Sequence, residues 1–287
     1  MSSSLQLPFG VMSLVDGFWV NAKLLRRLRT LCVTHGATAC EVPYPGLRLQ
    51  DPIESICTFC VQAGILNLSI CHFFGDGMPN PQVAGEQEAA LSSLRKAIDF
   101  ASAVGATKVV GPLGISIGQP GTLEGATAFL KRAVTFAEQA SITLCLEYLR
   151  PEEDKVFLAA EDDAIAVVDA VGSSCLKVHF DTFHNHCHGR NPAQALRKIG
   201  DRLGHVHISG SERMTPGTDK IDWCRVRQGL EAADYRGAVV LELFGPETRK
   251  AIPAIAAGFP RSLRCDTSVE VTCYTLERAG IIAPLSE

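Results

Sequence analysis

The sequence predicts a single-domain (β/α)8 barrel of the TIM type over residues 1–287, and three observations carry that expectation. Apolar, β-branched runs of strand length alternate with amphipathic helical stretches along the whole chain. Eight such runs can be counted, and the chain length suits eight βα units. Gly36, Gly64, Gly105 and Gly237 each stand just before a strand run, as helix stop signals do. A doubly wound open sheet would show the same alternation. It usually carries a glycine-rich turn after its first strand, whereas here the first run leads into Ser13-Leu14-Val15-Asp16-Gly17-Phe18.

The first strand is predicted at residues 10–15, followed by a helix at 22–35 that ends on Gly36. Strand two is predicted at 37–43, and Cys57-Thr58-Phe59-Cys60 falls in an amphipathic helix closed by Gly64. Strand three covers 65–72, a helix 86–104, strand four 107–112, a helix 123–140 and strand five 142–148. A helix at 160–170 leads to strand six at 176–181. Asn191-Pro192 places a capping residue before a proline in the first turn of a helix at 192–199. Strand seven follows at 203–209, and Asp222 before Trp223 opens a helix at 222–232. Strand eight is predicted at 238–244. From there to about 264, Gly245, Pro246, Pro253, Gly258 and Pro260 break the pattern. This predicts a long βα loop with a short helical piece, and such loops at a barrel rim commonly form lids. The last helix is expected near 268–280, and no internal repeat, low-complexity tract or interdomain linker is evident.

A hydrophobic content of 46% supplies a large core, and a charged content of 20% is ordinary for a globular protein. The formal net charge of −4 argues against nucleic acid, whose phosphates call for a basic surface. No apolar run reaches the length of a membrane span. Met1-Ser2-Ser3-Ser4 begins no signal peptide, so a cytoplasmic location is expected. The eleven cysteines are an odd number and sit mostly in apolar stretches, which favours free thiols in a reducing compartment. A lone C-x-x-C without a second pair reads as two packing residues on a helix.

The chemistry concentrates late in the chain. Six of the eight histidines lie between His179 and His207. Polar residues end four consecutive strand runs: Glu147 the fifth, Asp181 the sixth, His207 the seventh and Glu242 the eighth. In a barrel, strand C-termini converge on one mouth. Strand alternation puts Cys145 with Glu147, His179 with Asp181, His205 with His207, and Val240 with Glu242 on shared faces. Three carboxylates brought together repel one another unless a cation lies between them. With one imidazole added, the set suits Mn²⁺ or Mg²⁺, and Co²⁺ or Zn²⁺ are compatible. The bland alternatives are structural salt bridges for the glutamates and a turn cap for Asp181. His205 and His179, one layer deeper, read as core histidines. His184, three residues past Asp181, is placed to reach a substrate over the metal. Arg213 either meets an oxyanion at the rim or forms a surface ion pair. His186 and His188 read as solvated loop residues.

These residues carry a resemblance. Asp181-Thr182-Phe183-His184, Gly204-His205-Val206-His207 followed by Arg213, Pro216-Gly217 and Ile221-Asp222-Trp223, and Leu241-Glu242 resemble the motifs of the xylose isomerase-like TIM barrels. Within that superfamily they are most similar to the ketose 3-epimerases of the D-tagatose/D-psicose type. The likeness is strongest from Glu147 to Phe244. It implies Glu147, Asp181, His207 and Glu242 as metal ligands, and Glu147 and Glu242 as the two acid/base residues. His184 and Arg213 match groups that hold the O1/O2 end of a ketose, and Glu153 matches a further substrate-contacting glutamate. Arg150-Pro151-Glu152 before it, residues 185–190 and the long loop of 245–264 depart from the family pattern.

The expected activity is a divalent-metal-dependent sugar epimerase, Mn²⁺ foremost and with no organic cofactor. It would invert C3 of a ketose through a cis-enediolate, one glutamate removing a proton and the other returning one. The alternatives that share its first proton abstraction are an aldose–ketose or hydroxypyruvate isomerase and an inosose- or 3-dehydroshikimate-type dehydratase. A metal-dependent sugar-binding protein is the non-enzyme alternative, and the presence of two candidate bases weighs against it. The expected partner is a small-molecule sugar or keto-polyol, with further copies of the chain in a dimer or tetramer at most. Neither nucleic acid nor a membrane is expected.

Overall fold

The computed structural model describes residues 5–72, 79–83, 85–114, 121–150, 158–251 and 265–284. Eight parallel strands close into a barrel in sequence order. They are β1 (Phe9–Met12), β2 (Ala39–Tyr44), β3 (Asn67–His72), β4 (Lys108–Gly111), β5 (Thr143–Glu147), β6 (Leu176–Asp181), β7 (Leu203–Ile208) and β8 (Val239–Leu241). Closure comes from β1 pairing with both β2 and β8, Gly10 lying opposite Ala39 on one side and Val240 on the other. Gly10 is obligatory for packing: a Cβ there would stand 2.7 Å from the Ala39 Cβ.

The helices are α1 (Ala22–Thr34), α2 (Pro52–Ala63), α3 (Gln87–Ala103), α4 (Leu123–Ala140), α5 (Glu161–Val171), α6 (Thr182–Cys187), α7 (Pro192–Ile199), α8 (Trp223–Ala232), α9 (Pro246–Ala251) and α10 (Cys265–Arg278). Their starts follow local chemistry. Asn21, Asp51, Thr122, Asn191 and Asp222 each accept backbone N–H groups of the first turn through their side chains. Gly36, Gly64 and Gly105 adopt the left-handed conformation expected of helix stops, with φ of +58°, +66° and +73°. Gly237 does not. The left-handed residue after α8 is Asp234, and Gly237 is instead kept small by the Tyr235 ring, which occupies the space a Cβ there would need.

Two apolar layers follow from the strand alternation. Met12, Leu14, Ala39, Cys71, Val110, Cys145, Ala238, Val240 and Phe244 fill the interior. The alternate strand residues, such as Val11, Cys40, Ile70, Val109, Leu144, Phe180 and Val206, pack against buried helix faces. Cys57 and Cys60, half-buried on α2, carry free thiols, as do eight other cysteines of the chain. No helix among the described residues is long and apolar enough to cross a membrane.

Four expectations need correction. The first strand stops at Met12, because the chain turns into a 3-10 helix at Ser13–Val15 closed by Asp16 N–H on Ser13 O. The eighth strand stops at Leu241, where its pairing with β1 and β7 ends. The histidine-rich run after β6 is helix α6 rather than loop, begun by the Asp181 carboxylate accepting Phe183 N–H at 2.7 Å. The last helix begins at Cys265 rather than near 268, whereas the short helical piece expected in the 245–264 loop is present as helix α9. Pro253, Gly258 and Pro260 lie outside the described residues.

Candidate active site

Glu147 ends β5, Asp181 ends β6, His207 is the penultimate residue of β7, and Glu242 follows β8 by one residue. Glu242 N–H still bonds to Ile208 O at 3.0 Å, so its side chain keeps the inward direction that the strand sets. The β6–β7 register places Asp181 beside His207. One ligand-capable atom from each of the four residues lies within 4.8 Å of all the others, and all four are buried. Sequence reasoning expected this quartet, and the fold brings it together.

Arg213 reaches into the centre of the quartet rather than out to the surface. Its Nη1 donates to Asp181 Oδ2 at 2.6 Å and, in a shorter contact, to Glu242 Oε2. The backbone that delivers it is strained, with Glu212 at φ +61° and Arg213 at φ +56°. Asp219 Oδ2 accepts Ser211 N–H at 3.0 Å, and Gly210 N–H donates to Met214 O at 2.7 Å, tying the turn at both ends. Arg213 Nη2 lies 3.0 Å from His184 Nε2, and His184 Nδ1 accepts Arg150 N–H at 2.9 Å. That bond assigns the His184 proton to Nε2. Two N–H donors therefore converge there, a pairing that an oxyanion would satisfy.

Shared burial and local charge separate the two glutamates. Burial would raise Glu242, but the Arg213 and His207 charges hold it at about 2. Glu147 is pushed well above the usual carboxylate range by burial and by the Glu242 charge. Asp181 is raised to about 6 by burial, against the pull of Arg213. Burial lowers His179 and His184 well below the usual imidazole value, so both are neutral.

The donor set fits a divalent cation of the hard, oxygen-preferring kind, with three carboxylates and one imidazole. His207 Nδ1 is buried without a hydrogen-bond partner, 3.3 Å from Glu242 Oε2 and 3.9 Å from Glu147 Oε1. Burial would lower the His207 pKa, but the Glu41 and Glu242 charges raise it, so the ring is a cation among these carboxylates, and a divalent cation bound there would take the place of its Nδ1 proton.

Other expected residues divide. His179 and His205 are core histidines, as read from sequence, and with His207 they form an edge-to-face cluster. His186 lies on α6 and is half-buried, and the His188 ring sits 3.1 Å from Leu149 O, so neither is a solvated loop residue. Glu153 lies outside the described residues. Sequence reasoning missed Glu41 on β2, a fully buried carboxylate 3.0 Å from both His205 Nε2 and His207 Nε2. Ala39-Cys40-Glu41-Val42 bears the same signal as Leu144-Cys145-Leu146-Glu147, a lone carboxylate in an apolar strand.

The model of the family described as xylose isomerase-like TIM barrel matches residues 30–263. A D-psicose 3-epimerase of Enterocloster bolteae is 40% identical over 108 residues, 38% of this chain and 36% of that protein. An L-ribulose 3-epimerase of Methylomonas sp. is 29% identical over 160 residues, 54% of this chain and 56% of that protein. The matched stretches thus span 36% to 56% of the length of these relatives. A crystal structure of a D-allulose 3-epimerase from Methylomonas sp. superposes with a TM-score of 0.84 over 97% of this chain and 100% of that one, at 20% identity. This last likeness speaks to the fold.

Proposed function

Since the chain belongs to the xylose isomerase-like TIM barrel family, we propose that it is a divalent-metal-dependent sugar epimerase that inverts C3 of a ketose. The observation that carries the reading is the buried quartet of Glu147, Asp181, His207 and Glu242, with ligand atoms within 4.8 Å of one another. The named activities of the epimerase relatives support the same reaction class.

Glu147, Asp181, His207 and Glu242 would hold the cation, Mn²⁺ foremost. When bound, it supplies Lewis acidity that makes the proton beside a ketone easier to remove. The remaining work belongs to side chains of this chain. Arg213 Nη2 and His184 Nε2 converge on one point and donate to the oxygen that gains charge as the C3 proton leaves. Glu147 and Glu242 arrive from strands on different sides of the barrel mouth. A ketose lying between them offers one face of C3 to each. One carboxylate takes the proton, leaving a cis-enediolate, and the other delivers a proton to the opposite face, inverting the centre. Burial of all four polar residues keeps water from competing for that proton.

The test incubates the purified protein with a panel of ketohexoses and ketopentoses and Mn²⁺, then resolves the epimers by chromatography. C3 epimers are expected to interconvert, the activity to vanish on chelation, and Mn²⁺ to restore it. Glu242→Gln is expected to lower kcat by about 10²–10⁴. Undiminished activity after complete chelation, or in Glu242→Gln, contradicts the proposal, and loss of water with a keto product indicates a dehydratase instead.

A further inference from the structure

Glu41 takes no part in the steps above, yet it is among the most enclosed charged residues of the chain, at 0% exposure. Its Oε1 lies 3.0 Å from His207 Nε2 and its Oε2 lies 3.0 Å from His205 Nε2. Ser69 Oγ, from the neighbouring strand β3, donates to the same Oε2 at 2.8 Å. Taking a carboxylate out of water costs several kcal/mol, so a strand that spends an interior position on one needs a return that an apolar residue would not give.

The geometry at His207 shows that return. A neutral imidazole carries one proton on its two nitrogens. With Nε2 facing a carboxylate oxygen, that proton belongs on Nε2. With a cation in the quartet the ring is neutral, so Nδ1 is then the lone-pair nitrogen, and Nδ1 is the atom turned toward Glu242 at 3.3 Å and Glu147 at 3.9 Å. We propose that Glu41 is a positioning residue for the metal site: it accepts the His207 Nε2 proton, selects the tautomer, and holds the ring so that Nδ1 points at the cation. Ser69 fixes the rotation of the Glu41 carboxylate, and His205 Nε2 lies 3.0 Å from its second oxygen. The inference rests on the reading of Glu147, Asp181, His207 and Glu242 as a metal site.

Outer partners of metal-bound histidines act on affinity and orientation more than on folding, and their loss typically costs about 10–100-fold in affinity. The test therefore reads the metal rather than turnover. Mn²⁺ affinity is measured by titration calorimetry on chelated and refilled protein, and the ligand field by the visible absorption of the Co²⁺ form. Glu41→Gln keeps the shape and removes the charge. It is expected to raise the Mn²⁺ dissociation constant by about 10–100-fold and to shift the Co²⁺ bands, with circular dichroism showing a folded barrel. Ser69→Ala is expected to weaken Mn²⁺ several-fold in the same direction, and it carries the test should Glu41→Gln not fold. A dissociation constant within twofold of the parent in the folded variant, with unchanged Co²⁺ bands, overturns the inference. A parent protein that binds neither Mn²⁺ nor Co²⁺ overturns the metal-site reading itself, a result distinct from the first.

Discussion

At the residue scale, burial sets different protonation states on chemically similar groups according to what lies beside them. Glu242 has Arg213 and His207 for neighbours and stays ionised, while Glu147, enclosed to the same degree, is pushed toward its neutral form. His72 shows the same logic away from the quartet. It ends β3 with its Nε2 3.2 Å from Ser93 Oγ, and burial lowers its pKa to about 3. An unfolded chain would protonate it near pH 6.5. Between those values the unfolded state binds a proton that the folded state refuses. The stability from His72 is thus complete above about pH 6.5 and is lost as pH falls, by about 1.4 kcal/mol per pH unit. His72→Gln is expected to flatten the slope of unfolding free energy against pH between 6 and 4 by one proton, measured by urea denaturation. An unchanged slope contradicts the assignment. The four positions of the quartet were legible because each breaks an apolar strand at its C-terminal end. Arg213 was singled out too, but its residue type left an oxyanion contact and a surface ion pair both open, since its inward path depends on left-handed backbone at Glu212 and Arg213 that neither residue type announces.

At the scale of elements, legibility followed pairing and length. The sixth strand and the helices at Leu123–Ala140 and Pro192–Ile199 have the bounds that the sequence predicts. Where an apolar run outlasts its partner strand, periodicity misleads. Leu14 continues the inward apolar pattern of β1, but its carbonyl accepts Gly245 N–H at 3.0 Å and Thr248 Oγ1–H at 2.6 Å instead of a ladder bond. Helices α6 and α9, six residues each, are too short to show a 3.6-residue period. Caps were legible at Asn191 and Asp222, and the structure adds another of the same kind at Asn21, which was not singled out in the sequence. Asn21 Oδ1 accepts Lys23 N–H and Leu24 N–H, both at 3.0 Å, and replaces two bonds that the first turn of α1 lacks. Asn21→Ala is expected to cost about 1 kcal/mol in denaturant unfolding and to leave Mn²⁺ affinity unchanged. A stability loss below a few tenths of a kcal/mol means that the cap contributes nothing.

At the scale of the whole molecule, barrel closure makes a site from residues that are distant in sequence. Glu41 on β2 meets His205 and His207 on β7, and Glu147 on β5 comes within reach of Glu242 after β8. The alternating pattern was enough to foresee closure, and strand-end chemistry was enough to foresee the quartet. The role of β2 was not foreseen, because its carboxylate gains meaning only when the far side of the barrel is present. The same closure gives the proposed epimerase two carboxylates at one carbon, and that is its central claim. The most direct test is deuterium incorporation from heavy water during turnover of a ketose with the Mn²⁺-loaded protein, read by NMR of the isolated product. The account predicts deuterium at C3 of the product epimer and at no other carbon. Label confined to C1 or C2, with an aldose as product, contradicts it.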